Sequence, residues 1–93
     1  MTVGLLTLDI HLPYAHSLKE KRQALRKLKD RLRARYNVAV AELDHQDLWQ
    51  RATVGVVSVS PDTVRLAQLL EAVAEESERV LDGAEVNSTL EYF

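Results

Sequence analysis

Two strand–helix–strand units follow one another within 93 residues with no linker between them, and that order leaves few ways to build a core. In residues 3–12, Leu6, Leu8, Ile10 and Leu12 alternate with Thr7, Asp9 and His11, the pattern of a strand with one wet face. Pro13 ends it. Ser17, with Glu20 three residues later, forms a capping-box pair ahead of a helical period. On a wheel of about 100° per residue, Leu18, Leu25, Leu28, Leu32 and Tyr36 gather into one core stripe. Asn37 is expected to close this helix in a left-handed cap. Residues 38–43 and 51–59 are short and rich in β-branched side chains, so both read as strands, joined by residues 44–50. Ser60, Pro61 and Asp62 supply an N-cap, a first-turn proline and an acid suited to the positive end of a second helix. Its stripe is Leu66, Leu70, Val73 and Leu81, with Glu71, Glu75 and Glu78 outside and Gly83 as the expected C-cap. Residues 85–92 alternate as a last strand.

Both crossovers are satisfied most simply by an antiparallel sheet in spatial order 4-1-3-2 with two helices on one face. This is an α+β architecture, a ferredoxin-like βαββαβ sandwich, with residues 1–93 as its one domain. A three-layer parallel fold would need more strands and a second helical layer. The apolar content of 46% supplies one modest core. No stretch approaches the roughly 18 to 20 apolar residues of a membrane span, so no membrane contact and a cytoplasmic location are expected. The absence of cysteine removes disulfides, thiolate nucleophiles and cysteine-based zinc sites together.

Charge is distributed very unevenly. Nine of the twelve basic residues lie between Lys19 and Arg35, against two acids, so that stretch carries +7 while the rest of the chain, three basic against twelve acidic residues, carries −9. On the wheel Lys19, Arg22, Arg26, Lys29 and Arg33 form one flank beside the core stripe, spanning about 21 Å at 1.5 Å per residue. That length follows several phosphates of a nucleic-acid backbone. Lys27, Arg31 and Arg35 fall on the far side, where the acidic second helix is a natural counterpart.

The topology brings the 13–17 loop, the start of the basic helix, the 44–50 connection and residues 82–84 to one edge. His16, Lys19, Arg22, Asp44, His45, Asp47, Trp49 and Arg51 meet there. Trp49 is open to three readings: a base-stacking surface, an interface anchor, or a ring folded back over the end of the core. Asp44, His45 and Asp47 match no metal-ligand spacing, and neither a metal nor any other cofactor is called for. Asp9 and His11, with Glu42 across the sheet, have the types for acid–base work. No nucleophile elbow or glycine-rich phosphate loop accompanies them, and no catalytic residue is assigned. RNA-recognition modules of this fold stack bases on aromatics of the two central strands. Strands one and three here have none.

Three spaced motifs carry a family resemblance: Ser17-Leu18-Lys19-Glu20-Lys21-Arg22, then Tyr36-Asn37-Val38 with Val40-Ala41-Glu42, then Asp47-Leu48-Trp49-Gln50-Arg51-Ala52. In this order they resemble the YlxP-like family of small bacterial proteins of unknown function, over essentially the whole chain. The resemblance implies a ferredoxin-like fold and a frequent genomic setting beside translation and ribosome-maturation factors; it implies no catalytic residue. The sequence thus points to a non-enzymatic domain that binds structured RNA or a ribosomal particle through Lys19, Arg22, Arg26, Lys29 and Arg33, with Trp49 and Arg51 contributing from the hairpin. The alternative is an oligomeric interaction or regulatory module whose basic helix meets an acidic partner surface. Strands two and four are the expected sheet edges, and the cluster Leu90, Tyr92 and Phe93 points to a homo-oligomer through an edge.

Overall fold

The computed structural model describes residues 1–93. Six elements follow in the expected order: β1 (Thr2–His11), α1 (Leu18–Arg35), β2 (Ala39–Asp44), β3 (Arg51–Ser60), α2 (Thr63–Val80) and β4 (Glu85–Tyr92). The strands form one sheet in the order β2-β3-β1-β4, which is the expected 4-1-3-2 order read from its other edge. Every neighbouring pair is antiparallel. β1 begins the first crossover and is spanned by the second, so it lies between β3 and β4. It sets Leu6 against Val56 on one side and Leu90 on the other.

The alternation in β1 sorts its side chains as the sequence implies. Leu6, Leu8, Ile10 and Leu12 are buried under the helices, and Asp9 and His11 stand exposed on the other face. Val54 and Val56 of β3 extend the same buried layer. α1 packs over β2 and against α2, while α2 lies over β1, β3 and β4. Leu25, Leu28 and Leu32 from α1 and Leu66, Leu70 and Val73 from α2 close the core. Tyr36 and Leu18 are only half-buried.

Helix ends depart from the sequence reading in three places. Asn37 takes no left-handed conformation, because α1 ends at Tyr36 in extended backbone (φ −131°, ψ 150°) and runs directly into β2. A left-handed cap would turn the chain away from the sheet it must join. At the start of α2 the cap is Asp62 rather than Ser60. Its carboxylate accepts from the backbone N–H groups of Val64 and Arg65, satisfying two otherwise unpaired donors, while the Ser60 hydroxyl accepts from the Asp62 N–H. Proline therefore sits one residue outside the helix. After α2 the cap is Leu81 rather than the expected Gly83, which lies two residues on and supplies the one positive-φ glycine (φ 88°) in the turn into β4.

At Gly4 two leucines of α2 press on the backbone of β1. A Cβ at this position would stand 2.5 Å from Leu70 Cδ1 and 3.2 Å from Leu66 Cδ2, both in fully buried side chains. Either leucine can give way only by repacking buried neighbours. Gly4→Ala is expected to destabilise the fold by about 1 to 3 kcal/mol through overpacking, read as a lower urea midpoint at unchanged slope.

Candidate nucleic-acid interface

The edge that collects the polar residues is held together by a lysine. Lys21 lies three residues after Leu18 and four before Leu25, and its side chain has no exposure at all. Its ammonium bonds Glu42 Oε2 at 3.0 Å and the carbonyl oxygens of His45, Gln46 and Arg51 at 2.6, 3.4 and 3.2 Å. A buried charge is tolerable only when paired and hydrogen-bonded, and here one helix side chain meets both conditions by gripping the connection between β2 and β3. The same loop is tied to the end of β1. The Leu12 N–H donates to the Gln50 carbonyl, and Gln50 Nε2 donates to the carbonyls of Pro13 and Ala15. His45 adopts the left-handed conformation (φ 64°) that turns the chain inside this grip.

Trp49 is therefore carried on an anchored loop, with 53% of its surface exposed, and does not fold back over the core. With Asp47, Leu48, Gln50 and Arg51 it lines an open concavity of about 420 Å3. Arg51 begins β3 opposite His11, so its side chain belongs to the sheet face away from the helices, beside Asp9 and Asn87. Glu42 pairs with Val54 in the register and points to the helix side, where Lys21 holds it. It is thus on the opposite face from Asp9 and His11, and the three carboxylate and imidazole groups do not converge.

The basic flank forms a second concavity. Arg22, Arg26, Lys29 and Arg33 line an open groove of about 290 Å3 between α1 and β2, together with Leu25, Asp30 and Glu42. Lys19 lies exposed one turn before Arg22 and outside this groove. Arg33 Nη2 donates to the Val40 carbonyl on the outer edge of β2 at 3.0 Å. None of Lys19, Arg22, Arg26, Lys29 and Arg33 enters an ion pair. Four of the seven expected contact residues are thus brought together, Lys19 prolongs them, and Trp49 with Arg51 lies round the pinned loop.

The far side of α1 is occupied differently. Arg31 and Arg35 both reach Glu76 of α2, a carboxylate only 2% exposed, and Arg79 reaches it from one turn along its own helix. Burial pushes the Glu76 carboxyl up, but the hydrogen bond from Arg79 and the charges of Arg35, Arg79 and Arg31 outweigh it and hold the group below its ordinary value. Lys21 and Glu76 are the residues the sequence reading missed. Their signal was the spacing, since Lys21 sits inside the apolar stripe of α1 and Glu76 three residues after Val73 on the inner side of α2.

A family model described as a protein of unknown function (DUF503) matches residues 3–89. The chain belongs to this family. Over 59 residues it is 39% identical to the uncharacterized protein YlxP of Bacillus subtilis (strain 168), an alignment covering 63% of this chain and 64% of that relative, so less than two thirds of the relative is spanned. This agrees with the family resemblance read from the motifs. Among solved structures, a C-terminal segment of the alpha subunit of aIF2 from Pyrococcus abyssi superposes with a TM-score of 0.61 at 24% identity, covering 97% of this chain and 51% of that one. A de novo designed protein with ferredoxin fold superposes with a TM-score of 0.63 at 11% identity, covering 97% of this chain and 85% of the design. Both likenesses establish the ferredoxin-like fold of this DUF503 member. No helix is long and apolar enough to cross a membrane.

Two ionic ties give distinct expectations. Lys21→Met strands Glu42 and three carbonyls without their donor, and a loss of about 3 kcal/mol is expected, together with faster amide exchange across residues 45–51. For Glu76 the lowered folded-state value means its stabilising contribution is fully present above the unfolded carboxyl value near 4.5 and is lost as pH falls through the folded value beneath it. Urea titrations of wild type and Glu76→Gln should therefore show a constant stability gap above about pH 5.5 that narrows below pH 4.5.

Proposed function

We propose that this DUF503 member is a non-enzymatic binding domain that holds structured RNA, free or in a ribosomal particle, by its phosphate backbone along the flank of α1. The observation that carries the reading is the division of α1's charge. Arg31 and Arg35 are committed to Glu76 and Lys21 to Glu42, whereas Lys19, Arg22, Arg26, Lys29 and Arg33 have no carboxylate partner within the chain. Glu42 lies in the same groove, but the Lys21 ammonium already offsets its charge, which leaves Asp30 as the one acid opposing four cations. A row of this kind offers phosphates charge-assisted hydrogen bonds without asking any cation to abandon an internal carboxylate.

The sheet is a poor alternative platform. Its uncovered face presents Leu5, Val57 and Val59 at one end and Asp9 at the other, with no aromatic side chain on β1 or β3. The contact therefore reads backbone and shape rather than stacked bases, and Trp49 on its pinned loop adds one stacking surface near the start of the flank. The genomic setting implied by the family resemblance points the same way.

Binding of folded and single-stranded RNAs measured across salt concentration tests this. Five phosphate contacts give a log–log slope of about −3.5 to −4.5, with folded RNAs preferred. The combined change of Arg22, Arg26 and Lys29 to glutamate should remove binding, while Lys27→Glu on the other side of α1 leaves it within a few-fold. Salt-insensitive or absent binding to every RNA would sink the reading, and retention of an acidic peptide instead would transfer the flank to a protein partner.

A further inference from the structure

The two edges of the sheet are built very differently. β2 is six residues long, is interrupted by a register shift between Glu42 and Asp44, and has the Val40 carbonyl on its outer side already engaged by Arg33. These are devices that blunt an edge. β4 has none of them. It runs eight residues in unbroken register with β1 and contains no proline.

The hydrogen-bond pattern identifies which groups of β4 are free. Val3 and Phe93 exchange both backbone bonds, so in an antiparallel ladder the residues paired towards β1 are 85, 87, 89, 91 and 93. The N–H and C=O groups of Val86, Ser88, Leu90 and Tyr92 then point outward. Side chains alternate with them. Val86, Ser88, Leu90 and Tyr92 lie on the helix-covered face, and Glu85, Asn87, Thr89 and Glu91 on the open one.

We propose that this edge pairs with the same edge of a second copy of the chain, across a two-fold axis beside Thr89. An axis at that position sets Val86 against the second copy's Tyr92 and Ser88 against its Leu90. All four outward-pointing residues of each copy find partners, giving about eight N–H···O bonds. On the open face Thr89 meets Thr89, Asn87 meets Glu91, and Glu85 meets Phe93, so no like charges stand opposite. Moving the axis to Ser88 would oppose Glu85 to Glu91 at both ends and leave Tyr92 without a strand partner. Moving it to Leu90 would strand Val86. The favoured register covers Tyr92 and Phe93, which are 43% and 71% exposed in the single chain. It produces one continuous eight-stranded sheet whose edges are the two blunted β2 strands, a closed isologous dimer with no site for a third copy. The basic flanks lie beside β2, at the far sides of such a dimer, and both stay free. Pairing through β4 is independent of what those flanks bind.

Sedimentation equilibrium of the 93-residue chain should give twice 10.5 kDa. Ser88→Pro removes an outward N–H that β1 does not use, and Thr89→Lys sets two ammonium groups face to face at the axis. Both variants should sediment as monomers with unchanged circular dichroism. The chain has no cysteine of its own, so single substitutions map the register directly. Thr89→Cys, at a close non-hydrogen-bonded pair about 4.5 Å between Cα atoms, should oxidise to a linked dimer faster than Ser88→Cys. A monomer at every concentration, a dimer untouched by both Ser88→Pro and Thr89→Lys, a ladder of larger species, or faster linking through Ser88→Cys would each overturn the proposal.

Discussion

One ammonium group organises the end of the molecule where its polar chemistry collects. The Lys21 side chain is wholly buried, and its bonds tie the first turns of α1 to the connection between β2 and β3. The loop has no apolar anchor of its own, since Leu48 and Trp49 both lie exposed. What fixes it is the cost of leaving a buried charge without partners: any movement of the loop that withdrew its carbonyls would strand that charge. The orientation of Glu42 follows from this contact, and the position of Trp49 from it together with the bonds of Gln50 to Leu12, Pro13 and Ala15. A lysine that looks like one more member of a basic run is in effect a core residue.

Most of the fold could be read from local pattern. The alternation in β1, the Ser17–Glu20 capping pair and the β-branched run in β3 each agree with the topology that two crossovers require, and the strand boundaries differ by a residue or so. What was not legible at the helix ends depended on tertiary context. Asn37 has the chemistry for a left-handed cap, yet α1 must feed straight into an edge strand, and the extended path prevails. Ser60 and Asp62 compete for one capping role. The residue nearer the first free N–H groups takes it.

The candidate site was legible in outline and blurred in detail for a related reason. Helical periodicity assigns α1's charges to two sides correctly, because angle about an axis is a local property. It does not say which charges another element will neutralise. That depends on Glu76, whose place between the helices is set by α2 packing, and on Lys21, whose neighbours arrive from a distant loop. Arg51 illustrates the period of two. As the first residue of β3 it alternates with Ala52, and this sends it to the uncovered face rather than towards the helix that carries the other cations.

The strand order also governs how quickly such a chain finds its structure. β1 has no sequence neighbour beside it in the sheet: Leu6 lies between Val56 and Leu90, so both of its ladders close only after long loops have been drawn in. Loop-closure entropy is spent before those pairings return any stability, which moves the chain away from microsecond helical folders towards slower mixed α/β domains. The helices can form early, but they acquire a floor only when the central strand is flanked on both sides. Assembly of the sheet about β1, rather than growth of either helix, carries the larger loop-closure cost.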